Sequence, residues 1–160
     1  MMHKLRTRKL FILFNVVLLV IASDGLVLAH DSESLSPRLT PRLQELLRKE
    51  MQFIDEASQN ILTALVAGSD AQVATLAQQI HDSFILRQSM TPEDKNHLVT
   101  VAPEGFVQRD RDFHQVAAEL AAAARTGNRA LQHQQFGRMI EACSTCHALY
   151  ASDRFSGFSE

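Results

Sequence analysis

The chain has 160 residues, 46% hydrophobic and 21% charged, which is enough apolar material for one core of ordinary size and too little length for a second full domain. Seventeen acidic and twelve basic residues follow position 30, leaving about −5 on that part with histidine neutral. It contains no cluster of Lys and Arg of the kind that neutralises phosphates, so a nucleic-acid-binding role lacks its electrostatic basis.

The first 29 residues read as a signal peptide. Lys4, Arg6, Arg8 and Lys9 form a basic start, and the apolar run from Leu10 to Ala22 is too short to span a bilayer comfortably. Val27-Leu28-Ala29 matches a small-residue cleavage pattern, so processing is expected after Ala29, giving a periplasmic protein with no stable membrane insertion. Residues 30–39, polar and containing Ser and Pro, read as a flexible lead-in.

Residues 40–160 read as an all-α domain, because apolar positions recur at three- and four-residue spacing and no segment alternates at period two. The first helix starts with Thr40 as N-cap and Pro41 at its first position, places Leu43, Leu47, Met51, Ile54, Ile61 and Leu65 inward, and stops at Gly68. A second helix follows at once from Ser69 or Asp70, with Val73, Leu76, Ile80 and Phe84 inward, and runs to about Met90. So short a link implies an antiparallel pair. Residues 91–105, with Pro92 and Pro103, read as a connection without a helical period. A third helix, rich in alanine, spans about 106–125 with Phe113, Val116, Leu120 and Ala124 inward. Asn128 then caps a fourth helix that turns Leu131, Phe136, Met139, Ile140, Cys143 and Cys146 inward and frays near Ser152. The expected fold is an antiparallel four-helix bundle.

The only two cysteines lie in Cys143-Ser144-Thr145-Cys146-His147, the C-x-x-C-H pattern of c-type haem attachment. On a helix, residues three apart share a face, so both thiols can reach the two vinyl groups of one porphyrin, and His147 can bring its imidazole beneath the iron. A thiol–disulfide centre is expected instead at a helix N-terminus in a βαβ setting. A structural zinc site needs a second ligand pair, and no other cysteine exists. The expected cofactor is one covalently bound haem c.

Only thirteen residues follow His147, and no methionine is among them. This arrangement, the run Phe136-Gly137-Arg138 through Cys143 to Tyr150, and the alanine-rich helix ending in Thr126-Gly127 resemble the class II c-type cytochromes, the cytochrome c-prime group and its low-spin relatives. The resemblance covers roughly residues 40–155 and implies a four-helix bundle enclosing the haem. Ala151 stands where that family often has a basic residue, leaving Arg154 or Arg48 to screen the haem propionates.

Function then turns on the iron face opposite His147. Spacing alone makes Met51 core filling among Leu and Ile. Leu47-Arg48-Lys49-Glu50-Met51 resembles the L-x-x-x-M pattern of the low-spin relatives, which implies Met51 as the distal ligand. Met139 shares a helix with His147 and cannot reach the far face. The resemblance implies a periplasmic electron carrier serving redox partner proteins, as a monomer or homodimer. The alternative is a five-coordinate iron that binds nitric oxide or carbon monoxide. Peroxidase chemistry needs a distal acid–base group, and helical spacing puts Glu50 and Asp55 off the row of Met51, so the chain is not read as an enzyme.

Overall fold

The computed structural model describes residues 33–83 and 89–158. Among these residues there are five α-helices and no strand: α1 (Pro41–Val66), α2 (Asp70–Ser83), α3 (Pro92–Val101), α4 (Phe106–Arg125) and α5 (Arg129–Tyr150), with short 3-10 turns at Ser36–Arg38 and Ser156–Phe158. The expected signal peptide, and Phe84 as an inward residue, lie outside the described residues.

Local chemistry sets the helix ends. The Thr40 side chain accepts from Leu43 N at 3.3 Å, and Pro41 follows where its missing N–H costs nothing. α1 and α4 both end by having the chain cross a glycine at positive φ, Gly68 at 68° and Gly127 at 65°. The amides beyond turn back to the last carbonyls: Ser69 N donates to Ala64 O at 2.9 Å, and Asn128 N donates to Ala123 O at 3.0 Å. A residue with a Cβ is strained in that conformation, which is why glycine closes both helices.

α2 and α4 pack most extensively on each other, α4 packs on α5, and α1 packs on α2. Their shared core includes Ile54, Ile61, Val73, Ile80, Phe113, Leu120 and Met139. Ala117, Ala121 and Ala124 of α4 are all buried there, and with no side chain beyond Cβ they let the helices approach closely. α1 and α5 make little backbone approach to each other, and the space between them becomes the site.

Several features depart from the expectations. α3 is a fifth helix within the segment read as a connection. Pro92 occupies its first turn, and Thr91 closes a capping box with Asp94: Asp94 N donates to Thr91 Oγ1 at 3.1 Å, and Thr91 N donates to Asp94 Oδ2 at 2.9 Å. Arg42 Nε also donates to Asp94 Oδ2, at 3.0 Å, tying α3 to α1. These bonds, the Thr91 amide foremost, hold the Asp94 carboxyl below its usual pKa.

The segment read as a flexible lead-in is packed from residue 35 onward. Leu35 and Leu39 are buried with Leu43, Leu46, Leu98 and Tyr150 in a second core, and Leu35 N donates to Tyr150 O at 2.8 Å. Two leucines among polar neighbours thus find a pocket made by distant helices. On α5, Ile140 is 46% exposed, while Gln132 and Gln135 are buried. Their amides are satisfied: Gln132 Nε2 donates to Asp70 Oδ1 at 3.0 Å, and Gln135 Oε1 accepts from Arg138 Nη1 at 2.7 Å.

Candidate haem pocket

A cavity of about 480 Å³ opens between α1, α4, α5 and the C-terminal turn. Cys143, Cys146 and His147 line it from α5, and Leu47, Met51 and Ile54 line it from α1. The pentapeptide and the proposed distal methionine therefore share one cavity. Met51 is 38% exposed, and since it lines the cavity it is not enclosed core filling.

Phe106 and Phe113 of α4 add aromatic wall. Tyr150 closes one end, its ring edge-on to Phe106 with centroids 5.4 Å apart and its hydroxyl donating to Glu104 O at 3.0 Å. Arg48 and Arg154 both line the cavity. The Arg48 guanidinium forks onto Glu45 at 2.9 and 2.7 Å and donates to Gln52 at 2.9 Å, so it is held in place from its own helix.

Burial sets the protonation of the three α5 groups. It pushes the Cys143 thiol up to about 11, with Cys146 adding to the effect, and it also raises the Cys146 thiol. In the chain before haem attachment both thiols are therefore protonated at neutral pH. The same desolvation lowers the pKa of His147 and keeps its imidazole neutral, the form that ligates a metal. The His147 ring stacks on Phe155, with centroids 4.2 Å apart and planes 8° from parallel.

The other histidines and methionines among the described residues sit elsewhere. Met139 is buried in the main core and Met90 packs against the second one. His97 Nε2 lies 3.1 Å from Arg38 O, His81 Nδ1–H donates to His114 O at 3.0 Å, and His133 is exposed. Among the described residues no cluster of three or more His, Cys, Asp or Glu could hold a bare metal ion. A second, open groove of about 640 Å³, between Phe53, Ala74, Gln78, Asp82 and Arg125, contains neither cysteine nor histidine.

Sequence reasoning missed a buried polar group behind the cavity. Glu50, placed off the inward row of Met51 by helical spacing, is 3% exposed, and its Oε1 lies 3.9 Å from Nε2 of the buried His114. Asp110, whose Oδ1 is 3.8 Å from the same nitrogen, lines the cavity, as does Asp55. His114 Nδ1–H donates to Ile80 O at 2.8 Å. Burial lowers the His114 pKa, opposed in part by Asp110, and burial raises that of Asp110. The signal for this group was weak: Asp110 lies four positions before His114, but Glu50 is on α1 and meets them only in the folded chain.

A mostly apolar chamber with two cysteines one helical turn apart, a neutral histidine beside them and a methionine on the facing helix has the donor set and shape for a covalently attached haem. The sequence model of the cytochrome c′ family matches residues 42–151. The chain belongs to the cytochrome c′ family. Its cofactor is accordingly covalently attached haem c. The matched stretch begins within the first turn of α1 and ends one residue after α5, so it takes in every helix that lines the cavity. No curated protein and no solved structure matches the chain. No helix among the described residues is long and apolar enough to cross a membrane.

Proposed function

We propose that this member of the cytochrome c′ family is a monohaem electron carrier of the periplasm, with haem bound through Cys143 and Cys146, His147 as proximal ligand and Met51 as distal ligand. The haem supplies reversible one-electron chemistry at its iron. The chain supplies the rest. Cys143 and Cys146, one turn apart, tether the ring; the neutral imidazole of His147 offers a nitrogen lone pair; and the thioether of Met51 favours the reduced metal and so raises the potential. Leu47, Ile54, Phe106 and Phe113 keep the cavity apolar, and a low-dielectric surrounding reduces solvent reorganisation when charge changes. Arg48 and Arg154 stand ready for the propionates.

The observation that carries the reading is that Met51, on α1, and His147, on α5, line one cavity. Electron transfer needs no acid–base group over the iron, which is why no enzymatic role is assigned. The oxidised and reduced optical spectra of the purified holoprotein test it. A low-spin ferric spectrum with the weak far-red band of an iron–thioether bond is expected. A high-spin spectrum at neutral pH would replace this reading with five-coordinate capture of nitric oxide or carbon monoxide. His147→Ala, with the thioethers intact, is expected to keep the haem and lose normal ligation.

A further inference from the structure

Histidines that ligate metals are ordinarily oriented by a hydrogen bond from their second ring nitrogen to a carboxylate or a carbonyl. Among the described residues no oxygen accepts such a bond from His147. What meets the imidazole is a ring: Phe155 lies nearly parallel to it, 8° off, at 4.2 Å between centroids.

The C-terminal turn that carries Phe155 is itself held. Ser152 is buried, Asp153 N donates to Ser34 Oγ at 3.4 Å, and Arg154 N donates to Ala151 O at 2.9 Å. Phe155 also lines the cavity and is 43% exposed in the chain without haem, so neighbouring protein side chains do not by themselves enclose its ring. The position is set by the turn and by the face of His147.

We propose that Phe155 is the positioning residue for the haem-ligating imidazole of His147, an inference that rests on His147 being the proximal ligand. Stacked on one face, Phe155 sets the rotation of the imidazole about its bond to the metal and covers its flank, the tasks a hydrogen-bonded carboxylate performs elsewhere. The C-terminal turn after α5 thereby becomes part of the site.

The test uses the ferric holoprotein with haem attached, in four forms: wild type, Phe155→Ala, Phe155→Tyr and, as a control for the neighbouring exposed ring, Phe158→Ala. Two quantities are read: the spread of the haem-methyl proton shifts, which follows imidazole orientation, and the pH midpoint at which acid detaches His147. Stacked ring pairs imply a roughly three- to tenfold change in the ligation equilibrium, which moves a one-proton midpoint by about 0.5–1 pH unit. Phe155→Ala is expected to change the methyl spread and raise the midpoint by that amount, with Phe155→Tyr restoring both and Phe158→Ala matching wild type. The proposal is overturned if Phe155→Ala keeps the wild-type spread and midpoint, if tyrosine fails to restore them, or if Phe158→Ala reproduces the change. Absence of imidazole ligation in the wild-type spectrum overturns the ligand assignment first and this inference with it.

Discussion

Replacing Met51 with leucine separates ligation from packing, because the two roles predict different outcomes for one substitution. Met51 is a little over one third exposed, at 38%, so its burial contributes roughly 1–2 kcal/mol of the 1.5–3 kcal/mol expected of a fully buried methionine. Leucine has nearly the same volume and retains most of this. In the haem-free chain the stability of Met51→Leu should therefore fall by less than about 1 kcal/mol, or a few degrees in Tm. The reduction potential should respond far more. Loss of a thioether that favours ferrous iron is expected to lower it on the order of 0.1 V, a modest part of the ~0.8 V over which axial ligands move haem potentials. At about 59 mV per tenfold for one electron, that corresponds to a roughly fifty-fold preference of the ligand for the reduced metal. Potentiometric titration with optical detection gives the potential, and ferrous carbon monoxide titration reports whether the distal position has opened. An unchanged potential together with unchanged carbon monoxide binding, in a variant of wild-type Tm, would refute the ligand role and leave Met51 as cavity wall.

Other expectations follow from the surroundings of the site. Thr91→Ala breaks the capping box of α3 and should cost about 1 kcal/mol in denaturant unfolding; no loss of stability would mean that the cap does not contribute. In the haem-free protein, burial of Cys143, with a pKa of about 11, should make its alkylation by iodoacetamide roughly a hundred-fold slower at pH 8 than that of an ordinary thiol, rising about tenfold per pH unit. Alkylation at the rate of an exposed cysteine would contradict the burial. His114 has a lowered pKa in the fold, so just below 6.5 the unfolded chain binds more protons than the native one. Stability should therefore fall as pH drops from about 6.5 towards the native pKa. His114→Gln should be less stable at pH 7.5, having lost the bond to Ile80 O, yet show a flatter dependence of Tm on pH over that window; an identical slope would assign the acid sensitivity to other groups.

The parts of this molecule that were legible in its sequence are those decided by residues close together. Thr40-Pro41, Gly68 and Gly127-Asn128 each act within a turn, and the helices they bound are where those signals put them. The pentapeptide from Cys143 to His147 carries its own chemistry, and its family is shown independently by the match over residues 42–151. What could not be read depends on distant partners. Leu35 and Leu39 look like isolated apolar residues until Leu98 and Tyr150 come to meet them. The inner stripe of α5 starts with Gln132 and Gln135, which a hydrophobicity pattern turns outward. Asp70 and Arg138 make their burial affordable. The prolines around α3 were read as breaks, although a proline in the first helical turn marks a beginning. Phe106, Asp110 and Phe155 enter the cavity wall only through tertiary packing.

The two ends of the described chain meet beside the cysteine-bearing helix: Leu35 N reaches Tyr150 O, and the Ser34 and Ser152 hydroxyl oxygens lie 3.5 Å apart although 118 positions separate them in sequence. Closing so long a loop carries the largest chain-entropy penalty of any contact described above. This clasp should be among the first parts to open in native-state hydrogen exchange, ahead of the alanine-packed middle. Leu35 and Ser36 also border the chamber, so opening of this clasp would uncover part of the rim around the prosthetic group.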